Sequence, residues 1–355
     1  MMIYKGIRPL LFLLPAEFVH ERTLSFLKVP LFRFFFSKTC RYHHPSLNTS
    51  LGETRFKNPV GLAAGFDKSG ELLDQVSCLG FGFMEVGTIT PLPQEGNPKP
   101  RLFRLQEGKA LLNRMGFNNF GVAEVKKRLE ERSQRKIPIG INMGKNRNTS
   151  LEDAVLDYLL IFKELFEYGD YFAVNVSSPN TPNLRSLQKK GSLENLLSRL
   201  MEENQILAVK KGLQQKPLFV KISPDLSQSD LDDIVQVSME KGITGLIATN
   251  STTNHSYPEE GGLTGLPLRA MATEVIRSLY RKTEGKMVII GVGGIASGED
   301  AYEKILAGAS LVQIYTGLIY EGPSLLKKIN RELVEFLKRD GFQNIQEAVG
   351  KDSRQ

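Results

Sequence analysis

Eight short β-rich runs recur along this 355-residue chain, and a segment long enough for a helix separates each run from the next. Several runs are nearly continuous in apolar residues, which is typical of parallel strands buried on both faces. Eight strand–helix alternations predict an α/β fold of the (β/α)8 TIM barrel type. The runs are Pro59–Gly65, Gly82–Thr88, Pro138–Gly144, Tyr171–Ser178, Pro217–Pro224, Gly245–Ser251, Val288–Gly294 and Leu311–Gly317.

The segments between the runs carry helix signals. Amphipathic patterns cover Ser150–Tyr168, Ser192–Gly212 and Ser227–Gly242. The first and third begin with a serine followed three residues later by an aspartate, which is the spacing of a helix start. A doubly wound sheet is the alternative fold, but eight regular units and the lack of an early Gly-x-Gly-x-x-Gly turn disfavour it.

Positive charge is concentrated at the start of the chain. Residues 1–45 hold seven lysines and arginines against two glutamates, so five of the chain's net seven positive charges lie there. A nucleic-acid binder would spread its basic residues over the fold, so we predict no nucleic-acid partner. The two cysteines, Cys40 and Cys78, cannot form a disulfide framework, which indicates a reducing compartment.

The same 45 residues contain seven of the chain's 20 phenylalanines, yet their longest uncharged stretch is Pro9–Ala16. A spanning helix needs about 20 apolar residues, so this segment is no transmembrane helix. Helical spacing instead predicts one helix beginning near Pro15 and ending at Pro30, with a second helix over Leu31–Phe36. The residues predicted to share the first helix's apolar face are Val19, Thr23, Phe26 and Leu27.

Two phenylalanine-rich helices flanked by basic residues are typical of an anchor that lies in a membrane surface. The alternative is a helical hairpin that packs on the chain's own barrel. We divide the chain into a helical segment (residues 1–45), a catalytic barrel (residues 46–340) and a polar tail (residues 341–355), whose end, Gln346–Gln355, we expect to fray.

Three connections are longer than tight βα loops require. Pro91–Asn118, Pro179–Gly191 and Thr252–Pro267 all follow the carboxyl ends of strands, where barrel enzymes place their chemistry. The alternation in Arg101–Gln106 predicts a hairpin strand inside the first connection. The second has the length and position of a lid.

Amide and hydroxyl side chains gather at the predicted strand ends. A single asparagine there is explained by a turn, but several buried amides at one rim need a polar ligand to satisfy them. They suit a flat ligand with alternating donors and acceptors, such as a pyrimidine. The residues at this rim are Ala64, Gly65, Lys68, Thr88, Asn113, Asn142, Asn175, Ser177, Ser178, Asn180, Lys221, Thr249, Asn250 and Ser251.

The last two strands end in Gly291–Gly294 and Tyr315–Gly317. In barrels this region often binds phosphate through backbone N–H groups that glycines leave accessible. Together with Lys221 and the amides, it predicts flavin mononucleotide (FMN). No metal site is predicted, because none of the four histidines lies at a strand end, and the same observation excludes a serine–histidine hydrolase built on Ser178.

Several motifs together resemble the dihydroorotate dehydrogenase family over essentially residues 1–340, and within it the class 2, quinone-dependent, membrane-associated branch. That branch has a serine base where class 1 has a cysteine, and Ser178 stands at this position. It also carries an N-terminal helical extension, which Pro15–Glu21 resembles. The other motifs are Ala63–Lys68, Asn113–Phe117, Asn175–Thr181 and Ile290–Ile295.

The resemblance implies oxidation of dihydroorotate to orotate in pyrimidine biosynthesis, with reoxidation of FMN by a membrane quinone. Ser178 would take a proton from C5 of the substrate, aided by a relay such as Thr181, while a hydride passes from C6 to the flavin. The substrate ligands would be Lys68, Asn113, Arg114, Met115, Gly116, Phe117, Asn175, Asn180, Asn250 and Ser251. The FMN ligands would be Ala64, Gly65, Lys68, Thr88, Asn142, Asn175, Lys221, Thr249, Gly265, Gly294, Tyr315 and Thr316.

For the quinone tunnel the resemblance implies His20, Arg104 and Tyr315. From the residues alone, His20 is equally a histidine on a helix face and Arg104 a surface arginine of the hairpin. The expected protein is a monomer on the cytoplasmic face of a bacterial inner membrane, with the mitochondrial inner membrane as the alternative. The other functions left open are a flavin-free phosphate-binding barrel isomerase or synthase and a non-enzymatic scaffold on the membrane surface.

Overall fold

A computed structural model describes residues 2–132 and 136–354 of the chain. Each of the eight predicted runs overlaps one strand of a closed, entirely parallel eight-stranded barrel, which confirms the predicted fold and excludes the doubly wound sheet. The strands are β1 (Thr49–Leu51), β2 (Thr54–Phe56), β3 (Val60–Leu62), β4 (Phe83–Ile89), β5 (Leu102–Leu105), β6 (Ala110–Asn113), β7 (Ile139–Met143), β8 (Tyr171–Asn175), β9 (Leu218–Ile222), β10 (Gly245–Ala248), β11 (Gly262–Gly265), β12 (Val288–Val292) and β13 (Leu311–Ile314). The barrel order is β3-β4-β7-β8-β9-β10-β12-β13.

Helices surround the barrel and precede it. They are α1 (Met2–Phe12), α2 (Ala16–Leu27), α3 (Pro30–Thr39), α4 (Gly121–Glu130), α5 (Ala154–Leu165), α6 (Lys190–Lys211), α7 (Gln228–Glu240), α8 (Arg269–Lys282), α9 (Gly298–Leu306), α10 (Thr316–Glu321), α11 (Leu325–Arg339) and α12 (Ile345–Ala348). The Ser227–Asp230 capping box at the start of α7 is confirmed. The predicted start of α5 at Ser150 is wrong, because Ser150 and Asp153 close a separate turn and the helix begins at Ala154.

The amino-terminal end of the barrel is closed by the hairpin of β1 and β2. Leu51 and Phe56 from the hairpin belong to a buried cluster inside the barrel. The Phe56 ring meets the Phe83 ring edge-on at 5.4 Å, and Tyr171 and Phe219 belong to the same cluster, with their rings 5.4 Å apart. Since large side chains occupy this end, the space for a ligand lies at the carboxyl ends of the strands.

A separate three-stranded antiparallel sheet, in the order β11-β6-β5, is formed by the long connections at that end. The hairpin predicted over Arg101–Gln106 is confirmed as β5, which pairs with β6. Strand β11 comes from the third connection and was not predicted. The second connection contains a short 3-10 helix, Leu184–Gln188.

The N-terminal segment contains three helices where two were predicted. The apolar face predicted for α2 is confirmed in part: Leu27 is buried and Val19 and Thr23 are half-buried, but Phe26 is 42% exposed and the buried Leu24 was not predicted. Leucines and phenylalanines surround this helix, so the pattern of apolar residues could not show which of Leu24 and Phe26 would be buried. Within the described part of the chain, no helix is long and apolar enough to cross a membrane.

The C-terminal tail packs against the barrel, so the expectation that it frays is wrong for its described residues. Ile345 and Ala348 of α12 are fully buried. The backbone N–H of Gly350 donates to the Ile305 carbonyl at 3.0 Å, and the Ser353 hydroxyl donates to the Ala307 carbonyl at 2.9 Å. The polar composition of the tail hid the two apolar residues that hold it.

Candidate active site

A large cavity opens at the carboxyl ends of the barrel strands, beneath the β11-β6-β5 sheet. Its empty volume is about 1070 Å³, including the open mouth. Of the residues predicted for substrate, cofactor and catalysis, all line this cavity except Arg114 and Asn142. Ala63, Val292, Gly293, Ile295 and Gly317 also line it and lie in motifs that the sequence had indicated. The cavity residues that sequence reasoning did not single out are Leu102, Leu111, Thr264, Leu268, Gln313 and Ile314.

The two exceptions have clear positions. Asn142 is fully buried below the cavity floor, where its side-chain oxygen accepts a hydrogen bond from Thr88 at 2.6 Å. Arg114 turns away from the cavity: its guanidinium donates to the Pro100 carbonyl at 3.1 Å and lies over the Phe103 ring. Asn142 therefore supports cavity residues from below.

The amides of β7 and β8 are joined into one network. The Asn175 side chain donates to the Thr88 hydroxyl at 2.9 Å and to the Asn142 side-chain oxygen at 3.1 Å. Asn250 donates to the Asn175 oxygen at 3.3 Å and to the Ser177 hydroxyl at 3.0 Å. These bonds fix which way each amide faces, so the cavity presents a preorganised set of donors and acceptors.

A second pair of amides joins the barrel to the sheet above it. Asn180 donates to the Asn113 side-chain oxygen at 3.1 Å, and Asn113 donates to the Gly262 carbonyl at 3.0 Å. Asn180 belongs to the Pro179–Gly191 connection and Asn113 ends β6. The amides on the outer side of the cavity are therefore held by loops.

A buried carboxylate that sequence reasoning missed lies under the floor. Glu85 is fully buried in the middle of β4. It accepts hydrogen bonds from Asn142 at 2.7 Å, Gln313 at 2.7 Å and Tyr171 at 3.1 Å, and Lys221 Nζ lies 3.7 Å from it. Burial and the neighbouring Glu85 charge raise the pKa of Tyr171 well above its ordinary value, so Tyr171 stays a donor.

Glu85 thus holds Lys221 at the cavity wall and partly compensates the positive charge of the lysine. A buried carboxylate in such a pair stays ordered only when further hydrogen bonds satisfy it, as the three donors do for Glu85. The signal in the sequence was a glutamate inside an otherwise apolar run, Phe83–Ile89, which marks a buried charge that needs partners.

Ser178 lies on the cavity wall just beyond β8 and is 6% exposed. Its Oγ accepts a hydrogen bond from the Asn180 backbone N–H at 3.3 Å. Three residues later, Thr181 carries a buried hydroxyl that has no hydrogen-bond partner among the described residues. A serine in this setting can donate its own proton to a relay and accept one from a ligand.

Lys68 lines the cavity and forms no ion pair or hydrogen bond with the described residues. Burial lowers the pKa of its ammonium to about 8, and the carboxylate of Glu17 is the strongest of the charges that oppose this shift. A lysine with a free ammonium in a largely enclosed cavity attracts an anionic group of a ligand.

The three residues predicted for the quinone tunnel are separated. Tyr315 lines the cavity, and burial raises the pKa of its hydroxyl to about 12. His20 lies outside, with its ring edge-on to Phe66 at 5.0 Å, and Phe66 is edge-on to Tyr315 at 5.9 Å. Burial, with the Lys68 charge second, lowers the pKa of His20 to about 3, so this histidine is neutral.

Arg104 does not reach the cavity. Its guanidinium donates to the carbonyls of Leu11, Phe12 and Leu14 at 3.0 to 3.3 Å and lies 4.6 Å from the centre of the Phe12 ring. The Leu11 and Phe12 carbonyls belong to the last turn of α1 and the Leu14 carbonyl lies just beyond it, so Arg104 fixes that helix end on the β5–β6 hairpin.

A closed parallel barrel whose strand ends gather amides, a serine and two lysines around one cavity defines a (β/α)8-barrel enzyme that acts on a small polar ligand. The family model described as dihydroorotate dehydrogenase matches residues 46–337 of the chain. The chain therefore belongs to the dihydroorotate dehydrogenase family, as its motifs predicted.

Relatives across the whole length carry the same name with a quinone qualifier. Dihydroorotate dehydrogenase (quinone) of Roseiflexus castenholzii is 45% identical over 99% of this chain and 97% of its own length. The mitochondrial protein of that name from Mus musculus is 50% identical over 84% of this chain and 78% of its own length. A crystal structure of DHODH from Eimeria tenella in complex with ferulenol covers 96% of both chains with a TM-score of 0.85 and 38% identity.

Proposed function

We propose that this chain oxidises dihydroorotate to orotate in pyrimidine biosynthesis and passes the electrons to a quinone. Family membership and the quinone-dependent relatives support the reaction. The observation that carries it is the cavity itself. It places Ser178, the side chains of four asparagines and the free ammonium of Lys68 around one ligand-sized space. A pyrimidine ring with a carboxylate has the donors, acceptors and charge to match them.

FMN fits the inner part of this cavity. Thr249 Oγ1 and Gln313 Oε1 are buried without a partner among the described residues, although both residues line the cavity. Gly65 adopts φ +95°, and a Cβ there would meet only the Tyr315 ring, at 3.7 Å, so the backbone leaves room for a ligand. When bound, the flavin would accept the hydride from the substrate.

The residues that would hold the flavin are those of the inner wall: Ala64, Gly65, Lys68, Thr88, Asn175, Lys221, Thr249, Gly265, Gly294, Tyr315 and Thr316, with Asn142 behind them. Lys221 would place its positive charge at the ring edge where negative charge develops on reduction. The nearby Glu85 carboxylate keeps the Lys221 ammonium in position before the flavin is reduced.

On the outer side, Lys68 would bind the substrate carboxylate. Asn113, Asn175, Asn180 and Asn250 would hold the ring amides, with Ser251, Met115, Gly116 and Phe117 completing the wall. Ser178 would remove the C5 proton and pass its own hydroxyl proton toward the unpartnered Thr181 hydroxyl. Because Ser178 and Thr181 are both buried, the proton needs such an internal route.

The test of the proposed function is the donor and acceptor specificity of the purified full-length protein. We expect visible flavin absorption, loss of that absorption when dihydroorotate is added without oxygen, and its return with a quinone but not with NAD or fumarate. A fully folded colourless preparation would exclude the flavin. A flavin that dihydroorotate does not reduce would exclude the reaction.

We further propose that residues 1–45 rest on the membrane and lead the quinone to the cavity. The aromatic row His20, Phe66 and Tyr315 runs from α2 to the cavity wall, and Arg104 holds α1 beside it. Large apolar side chains on these helices face solvent instead of the barrel. Burial of such a surface in the membrane interface, assisted by the basic residues, would hold a peripheral protein there.

Replacement of Leu31, Phe34 and Phe35 by serine should weaken binding to anionic lipid vesicles by more than about tenfold. These side chains are 70%, 65% and 51% exposed, and each contributes about 1.5–3 kcal/mol when it enters an apolar phase. Co-sedimentation with vesicles measures the loss. In the matched control, serine replaces Leu156 and Leu160 of α5, which are 59% and 44% exposed. This control variant should bind the vesicles like wild type. Equal binding by both variants would refute the membrane surface proposed here.

A further inference from the structure

We propose that Glu17 of α2 is a positioning residue for substrate binding: through Arg101 it holds the loop that carries the outer wall of the cavity. This inference rests on the proposed function, because it assigns the outer wall to dihydroorotate. It gives the N-terminal segment a part in the substrate half-reaction as well as in membrane and quinone contact.

The ion pair between Glu17 and Arg101 is close and shielded from solvent. Arg101 Nη2 lies 2.6 Å from Glu17 Oε1, and Arg101 Nε lies 3.2 Å from both carboxylate oxygens. The two side chains are only 13% and 6% exposed. Although burial alone raises the pKa of Glu17, its hydrogen bonds to Arg101 and the charge of that arginine lower it overall, so the pair stays ionised.

Arg101 uses its remaining nitrogen to shape a turn in the first long connection. Nη1 donates to the carbonyls of Glu95 and Asn97. The Asn97 backbone N–H then donates to the Met115 carbonyl at 3.0 Å. A Cβ on Gly96 would lie 2.3 Å from that carbonyl, so the two loop strands are packed too closely for the turn to shift alone.

The Asn97 side chain connects this turn to the cavity wall. Its amide donates to the Arg114 carbonyl at 2.9 Å and to the Asn180 carbonyl at 3.2 Å. Asn180 and Met115 both line the cavity, and the Asn180 amide bonds to Asn113. One turn therefore ties together the two loops that hold the outer amides, and Glu17 is the group that anchors the turn to α2.

Glu17 also acts on the substrate-facing ammonium. It is the strongest of the charges that raise the pKa of Lys68 against the effect of burial. His20 is neutral and adds no positive charge beside Lys68. The ionisable groups that face Lys68 from the elements around it are Glu17, His20, Glu21, Asp67 and Arg101.

Glu21 provides a matched control on the same helix. It is 53% exposed and pairs with Lys99, itself 59% exposed, at 3.3 Å. It makes no contact with Arg101 or with the turn. The substitutions Glu17→Gln and Glu21→Gln remove the same charge from the same helix. They differ in their partners, because Glu17 holds the buried Arg101 and also lies 3.5 Å from Lys99, whereas Glu21 reaches the loop only through the exposed Lys99.

The experiment is anaerobic reduction of the flavin-loaded full-length protein by dihydroorotate, followed at several substrate concentrations. For Glu17→Gln we expect the dissociation constant for dihydroorotate to rise at least about tenfold, because small displacements of binding groups are costly, with the limiting reduction rate within about twofold of wild type. Glu21→Gln should match wild type in both. Loss of the Glu17 charge should also lower the Lys68 pKa, so binding should weaken from a lower pH than in wild type.

Glu17→Gln leaves Arg101 buried without its counter-charge and could cost the fold. Asn97→Ala removes the hydrogen bonds to the two loops, together with the one that Asn97 accepts from Arg147 at 2.9 Å, and leaves the Glu17–Arg101 ion pair in place. It therefore tests the same connection from the other end. A dissociation constant raised about tenfold in Asn97→Ala supports the inference even if Glu17→Gln does not fold. Wild-type values in Asn97→Ala, or equal effects of the two glutamate variants, would overturn it. If dihydroorotate does not reduce the wild-type flavin, that result excludes the proposed function and, with it, this inference.

Discussion

Ser178→Ala should slow the reduction of bound flavin by dihydroorotate by at least about 10² to 10⁴-fold, the usual range for loss of a positioned general base. Ser178 lies on the cavity wall beside the residues proposed to hold the substrate, and the backbone N–H of Asn180 orients its oxygen at 3.3 Å. The alanine variant keeps the wall and every residue proposed to hold the flavin. Flavin content should therefore match wild type while reduction nearly stops.

Stopped-flow absorbance of the flavin band under anaerobic, substrate-saturating conditions separates this loss from weaker binding. The control is Ser238→Ala on α7, where a fully buried hydroxyl without a hydrogen-bond partner among the described residues lies outside the cavity. Ser238→Ala should reduce its flavin at the wild-type rate. If Ser178→Ala does so too, another group is the base and the assignment of Ser178 is wrong.

The barrel could be predicted from the sequence because its strands are buried on both faces. Continuous apolar runs such as Tyr171–Ser178 and Pro217–Pro224 then stand out from the amphipathic helices between them. The position of the site followed from the fold, since every parallel strand ends at the same rim. Strand β11 escaped prediction because Gly262–Gly265 is short and polar, and it becomes a strand only by pairing with β6.

What could not be predicted depends on contacts between distant parts of the chain. Glu85 lies in mid-strand, and its role is visible only when Lys221, Gln313 and Tyr171 converge on it from three other strands. The pairing of Glu17 with Arg101 joins residues 84 positions apart. Local periodicity carries no information on such pairs, and on α2 it likewise could not show that Leu24 would be buried while Phe26 faces solvent.

The two halves of the proposed site differ in how they are held, and this difference determines where mutations act. The inner wall stands on barrel strands and on the buried Glu85 network, so changes there should affect the flavin and the fold together. The outer wall is carried by loops tied to α2. Changes there should alter substrate affinity first, because loops shift without unfolding the barrel.

Lys68→Met should raise the dissociation constant for dihydroorotate at neutral pH by at least about 30-fold, since loss of one partner of a buried charge pair costs about 2 kcal/mol or more. Lys68 has no other anionic partner at hydrogen-bond distance among the described residues, so the substrate carboxylate would be its counter-ion. Removing a lysine whose charge is costly to bury should leave the thermal midpoint of the ligand-free protein unchanged or higher. Substrate affinity should thus fall while thermal stability does not. Calorimetry or thermal unfolding, measured alongside the substrate titration, separates the two effects.

The same lysine sets the expected pH dependence of substrate binding. Its pKa of about 8 lies below the ordinary 10.5, so the charged form that binds a carboxylate is complete below pH 8 and is lost as the pH rises above it. In wild type the dissociation constant should be level up to about pH 8 and then rise toward about tenfold per pH unit, as expected for one linked proton. In Lys68→Met the same titration should be level through that range, because the titrating group is gone. A wild-type slope retained in the variant would assign the pH dependence to another group, and equal affinities at pH 7 would show that Lys68 does not bind the carboxylate.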